Sequence, residues 1–322
     1  MTEQPLDRNL AKVVESLRRT LETKKEAATP EPPQNAPKSP GAPKAAQLIL
    51  FPQWADTRKA APNAIFRGAC FPALNRKTRQ FLKEKKLGSV DGVEIFFTGE
   101  QFDQSDLSVY LVLLNLLRQQ ETPFGIEREI PAHTILKALG LPTGGKDHKW
   151  LHSVLIRLRG GTFDITDRKK RYFGGLIDGG FKDEITNHYR LSVNPNFAVL
   201  FGFGMWASID WQQRQAMKKL PTAQALHAYL STHAAPGFHN IDTYAEIAGL
   251  EGKTKRNVRA RILTAFKLMA SEAVGFLSGY ELSGDGKSIK PHVKHTKTQA
   301  QHIGRKIAAS KRRKKAARMD TG

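Results

Sequence analysis

The sequence predicts an α+β chain in which one layout, three helices followed by a β-hairpin, occurs twice. Three observations predict it. Helical and period-two patterns follow one another in the same order in two stretches, about 91–205 and 206–296. In each stretch the third helix is basic on one side and apolar on the other. The two ends differ sharply from the middle in composition, Pro-rich at the front and Lys/Arg-rich at the back.

Residues 7–27 read as a short amphipathic helix, with Leu10, Val13, Val14, Leu17 and Leu21 on one side. Residues 28–46 hold six prolines and read as an extended, disordered linker, so 1–46 forms one region. Gln47-Leu48-Ile49-Leu50-Phe51-Pro52 is an apolar island that cannot bury itself locally. It must dock on the fold or on another protein, and 47–90 is assigned as an extended partner-binding segment. The first module, 91–205, starts with a helix over Ser105–Gln119, with Asp103 and Ser105 as N-cap candidates and a largely buried run from Val109 to Leu117. Pro131–Leu139 is a second, short helix closed by Gly140. Lys146–Arg159 is the third. Trp150, Leu151, Val154, Leu155 and Leu158 share one face, and Lys146, Lys149, His152 and Ser153 the other. Thr162–Thr166 and Arg171–Phe173 then flank a basic turn, Arg168-Lys169-Lys170, and Leu176-Ile177 and Tyr189–Val193 supply further strands.

The second module covers 206–296. Residues 206–220 read as a connecting helix, followed by Thr222–His233, by Asp242–Ala248 with Gly249 at its end, and by the long helix Lys253–Val274. Phe276–Leu282 and Ser288–Val293 pair across the turn Ser283-Gly-Asp-Gly286. From Lys287 to Arg318 there are twelve Lys/Arg and no Asp or Glu, so 297–322 is expected as a disordered, phosphate-seeking tail. Three helices with a hairpin behind them is the layout of a winged helix, here two in tandem.

The net charge of +21 over 322 residues points to a polyanionic partner, nucleic acid before membrane. One cysteine, Cys70, excludes a disulfide framework and a Cys-based zinc site within one chain. No apolar run is long enough to span a bilayer, and the opening residues lack the apolar core of a secretion signal. A cytoplasmic location is therefore expected.

The densest signal lies at the start of the last long helix. Five of the nine residues from 253 to 261 are Lys or Arg and none is acidic, while Val258, Ile262, Ala265, Phe266 and Met269 fall on one side. With that side buried, Lys253, Arg256, Asn257, Ala260, Thr264 and Lys267 face outward. Arg suits guanine and Asn suits adenine in the major groove. Lys255, Arg259 and Arg261 lie to the sides, where phosphates would be. In the first module Lys146, Lys149, His152 and Ser153 make a weaker version of the same face, and Arg168, Lys169 and Lys170 a candidate wing. The competing reading of each is a solvated basic surface. Gly252-Lys253-Thr254 imitates part of a phosphate-binding loop, but the first glycine of that motif falls on Ile247 and the lead-in is helical. His148 and His152 have the spacing of two ligands on one helix, with no acidic third ligand suggested. No catalytic constellation appears, so neither an enzyme nor a cofactor is expected.

Three collinear motifs carry a resemblance: Gln47-Leu-Ile-Leu-Phe51 followed by Trp54-Ala-Asp56, Phe97-Thr-Gly-Glu100, and Lys219-Leu-Pro-Thr-Ala223. Over about 47–293 the chain resembles the TrfA-type plasmid replication initiators. The resemblance implies two winged-helix domains that bind repeated sites (iterons) in double-stranded origin DNA. It also implies help in origin opening and recruitment of host DnaA, the replicative helicase and the polymerase sliding clamp; a homodimer stays open. Gln47, Leu48, Leu50 and Phe51 would make the clamp contact, with Leu50 and Phe51 in the apolar pocket; Ile49 departs from the Ser or Asp of that motif. A winged-helix transcriptional regulator or partition protein is the alternative function.

Overall fold

The alternation of buried and exposed residues sorts the chain into short strands and amphipathic helices. In the computed structural model, residues 49–74, 79–167, 170–250 and 254–295 are described. All of them belong to one compact unit beginning at Leu48. The expected helix at 7–27, the Pro-rich linker and the tail at 297–322 lie outside the described residues.

The architecture is α+β. In the first module, α2 (Gln104–Gln119), β4 (Arg128–Pro131), α3 (Ala132–Ala138), α4 (Gly145–Gly160), β7 (Ile177–Lys182) and β8 (His188–Val193) follow in chain order. In the second, α6 (Pro221–Leu230), β10 (His239–Asn240), α7 (Ile241–Ile247), α8 (Lys255–Ala270), β11 (Leu277–Leu282) and β12 (Ser288–Val293) do the same. The sheets match as well: β4-β8-β7 in one and β10-β12-β11 in the other. Local chemistry sets the helix starts. Asp103 accepts from the Ser105 and Asp106 amides while Asp106 accepts from the Asp103 amide, a capping box that starts α2. Gly140 and Gly249 end α3 and α7 with φ of +64° and +63°, a conformation costly for other residues.

Three expectations change. The hairpin around 168–169 is not the counterpart of the β11–β12 hairpin. Its strands β5 (Thr162–Asp167) and β6 (Lys170–Gly174) extend a separate sheet, β2-β3-β5-β6, with β2 (Phe81–Leu87) and β3 (Val93–Glu100). Apolar alternation drives this: Ile95 faces Ile165 and Phe97 faces Phe163, all buried. The counterpart hairpin is β7–β8. Residues 206–220 are not one helix but strand β9 (Trp206–Asp210) and short helix α5 (Trp211–Ala216). From residue 49 on, the 47–90 stretch is part of the fold rather than an extended arm. Its β1 (Arg58–Pro62) pairs antiparallel with β9, followed by α1 (Asn63–Phe66) and β2.

Each module has its own core. One runs from Phe51 through α2 and the first-module sheets to the 3-10 helix Pro195–Gly204, and the other gathers around Tyr229, Tyr244, Ile262 and Phe266. A buried polar hub joins them. Arg214 of α5 is fully buried and donates to the Gln104 carbonyl at 2.8 Å and to Ser108 Oγ at 3.0 Å, both in the first turns of α2. Gln224 of α6 donates to the Arg214 carbonyl at 3.1 Å. Burial without a carboxylate partner among the described residues pulls the Arg214 pKa down to about 9.

Candidate nucleic-acid interface

Helix α8 is seated by Val258, Ile262, Ala265, Phe266 and Met269, all buried. The seat turns Lys255, Arg256, Asn257, Ala260, Thr264 and Lys267 to solvent. Thr254, its N-cap residue, makes no side-chain cap bond. Lys253 lies outside the described residues. The segment leading in is helix α7, ended by Gly249, where a phosphate-binding loop needs a strand.

Two residues expected at phosphates hold structure instead. Arg259 donates from Nη1 to the Gly286 carbonyl in the β11–β12 turn. Arg261 donates from Nη2 to the Ala73 carbonyl and to Thr222 Oγ1, both at 3.2 Å, which fastens α8 to the start of α6. Burial lowers the Arg261 pKa, consistent with an inward-turned guanidinium. The two sit on the flanks of the helix, where a neighbour is in reach; Arg256 and Asn257 sit on the crest.

Helix α4 is seated by Leu151, Val154, Leu155 and Leu158. Arg157 adds an ion pair: its Nη2 is 2.9 Å from the fully buried Asp106 carboxylate, which also pairs with Arg79 at 2.8 Å. Burial raises the Asp106 pKa and the two guanidinia oppose the rise. Lys146, Lys149, His152 and Ser153 are exposed, as is Ile156. The His152 ring stacks on Tyr189 of β8 at 6.0 Å, with Nδ1 3.3 Å from the Tyr189 hydroxyl. A flank residue of each basic helix thus meets its own hairpin, His152 in α4 and Arg259 in α8.

The candidate wing residues Arg168 and Lys169 lie outside the described residues, and Lys170 begins β6 in the β2-β3-β5-β6 sheet. Arg171 beside them is engaged by Asp164 through two bonds of 2.8 and 2.5 Å. The β7–β8 turn, which holds the equivalent place in the layout, is not basic. Asp183 Oδ1 accepts from the Ile185 and Thr186 amides at 2.8 and 3.0 Å, and these two hydrogen bonds hold the Asp183 pKa down.

The segment expected to meet the sliding clamp is divided. Gln47 and Leu48 lie outside the described residues. Leu50 is 55% exposed, but Phe51 is 4% exposed and packs on Phe124 at 4.0 Å, with Trp54 and Phe201 edge-on. The Phe124 amide donates to the Ile49 carbonyl at 2.9 Å, which fixes the segment in place. Trp54 donates to Asn115 at 3.0 Å, and Arg118 of α2 lies over the Trp54 ring and pairs with Asp56. Thus Ile49 and Phe51, with Trp54 and Asp56 of the next motif, anchor the chain to α2 and the loop after it.

Among the described residues no group of three or more His, Cys, Asp or Glu is placed to hold a metal ion, His148 and His152 included. No helix among them is long and apolar enough to cross a membrane.

No protein-family model matches the chain, and no curated protein matches it. Two crystal structures of domains 2 and 3 of RctB are similar to it. One is 13% identical, covers 73% of this chain and 99% of its own, and has a TM-score of 0.47. The other is 14% identical, covers 72% and 97%, and has a TM-score of 0.42.

Proposed function

We propose that this chain is a non-enzymatic, sequence-specific binder of duplex DNA, built from two tandem winged helices, that initiates plasmid replication by occupying repeated sites in origin DNA. One observation carries the DNA reading: Arg256 and Asn257 stand adjacent and exposed on a helix whose opposite face is buried. A guanidinium fork and a carboxamide there match the donor and acceptor edges of guanine and adenine. The net charge of +21 supplies the sequence-independent attraction. The initiator reading rests on the collinear motifs between Gln47 and Ala223, as do origin opening and recruitment of host DnaA and the replicative helicase. A clamp contact through Gln47–Phe51 requires Phe51 to leave its aromatic cluster. The site of action is the bacterial cytoplasm, on plasmid DNA.

The test is replication itself. A plasmid carrying only its own origin DNA should replicate when the chain is supplied and fail with Arg256→Ala and Asn257→Ala combined. Footprints on that DNA should be regularly spaced repeats. If the chain binds DNA specifically but supports no replication, the regulator or partition reading takes its place.

A further inference from the structure

The two basic helices present different chemistry. On α4, Lys146, Lys149, Ser153 and Ile156 recur at steps of three, four and three residues, which lines them up along one face. All four are exposed, Ile156 at 60%. Ser153 Oγ donates back to the Trp150 carbonyl at 2.7 Å, so its proton is not offered outward. What the face offers is two cations and, about two turns beyond the second, a single branched apolar side chain. Protein-docking faces gather several apolar groups; this stripe has one, with lysines before it and no carboxylate in it. The major groove has a matching element. Each A·T pair presents one apolar group there, the thymine C5-methyl, and G·C pairs present none.

We propose that Ile156 is a base-reading residue whose side chain packs on a thymine methyl in the major groove, so that the half of the DNA site beneath α4 is selected for A·T pairs. This rests on the duplex-DNA reading above. It makes the two modules read by different means: hydrogen bonding from Arg256 and Asn257 in one half, apolar contact from Ile156 in the other.

Uracil tests this, because it lacks the methyl and keeps every hydrogen-bonding group of thymine. The preferred duplex is first selected from random sequence with the full chain, and its thymines are then replaced by deoxyuridine one half at a time. Dissociation constants are measured at fixed salt for the wild type and Ile156→Ala. The variant alters a solvent-facing position and replaces a β-branched residue with a better helix former, so the fold is kept. Uracil in one half should weaken wild-type binding about three- to tenfold and leave Ile156→Ala unchanged. Wild-type binding indifferent to uracil, or a uracil penalty that persists in Ile156→Ala, overturns this proposal and leaves the DNA reading intact. Failure to select any preferred duplex overturns both.

Discussion

Helices α4 and α8 occupy the same place in two modules of the same layout, yet they are seated and loaded differently. The seat of α8 is almost wholly apolar, ending in Phe266 and Met269, with Arg261 as its polar fastening. The seat of α4 has Leu151, Val154, Leu155 and Leu158, and depends also on the buried carboxylate of Asp106 between Arg79 and Arg157. Their outward faces diverge too, Arg256 and Asn257 against Lys149 and Ile156. The layout determines which positions point out. On the proposed function, the side chains at those positions would determine what is read.

The largest effect should come from attacking the α8 seat. Phe266→Ala should cost about 3–5 kcal/mol, because a fully buried ring is replaced by a cavity. Urea unfolding reports the loss, and a cost under 1 kcal/mol would show that α8 does not depend on that seat. The outward faces come next. Arg256→Ala should lower discrimination between target and random DNA by about 1–3 kcal/mol, whereas Lys149→Ala should weaken both alike and flatten the salt dependence by about one unit of slope. If Lys149→Ala changes specificity more than Arg256→Ala does, the order of the two helices is reversed.

A third prediction concerns pH and separates the modules through α6. His227 is fully buried against Phe276, and burial, with Arg214 and Arg58 nearby, lowers its pKa to about 3. The folded state therefore refuses a proton that the unfolded chain accepts below about pH 6.5. Its contribution is intact above that pH and is lost as pH falls toward 3, by at most about 1.4 kcal/mol per pH unit. Denaturant midpoints from pH 7 to 5 should fall in the wild type and fall less in His227→Leu. The smallest effect is expected at the hairpin link. Arg259→Ala removes one hydrogen bond to the Gly286 carbonyl, about 0.5–1.5 kcal/mol, and should speed amide exchange at the 283–287 turn without moving α4.

Both helices were legible because their apolar residues repeat at helical spacing, over about two turns in α4 and about three in α8, and Asp103 announced the start of α2. The outward position of Arg256 and Asn257 followed from the same periodicity. The first hairpin was misplaced because its basic turn outweighed a subtler fact: Phe163 and Ile165 pair with Phe97 and Ile95, which lie some seventy residues earlier. Sheet partnership over that distance leaves no local trace. β7 was only partly visible, since Gly179 and Gly180 interrupt its alternation. Arg259 and Arg261 looked like phosphate ligands because a charge in sequence carries no record of the carbonyl it will meet. Arg214 sits in Trp-Gln-Gln-Arg-Gln, inside the stretch expected as a connecting helix, and only the meeting of α5 with α2 encloses it.

The link from Arg259 to Gly286 has a mechanical consequence. It ties the tip of a hairpin to the flank of the helix beside it, so spreading the two apart must break this bond. For a duplex seated on this module, helix and hairpin become the jaws of a fixed caliper. DNA whose groove must be stretched or squeezed to fit pays an elastic cost that depends on base pairs no side chain touches. One guanidinium facing inward would thus contribute to sequence choice by holding a dimension constant rather than by touching a base.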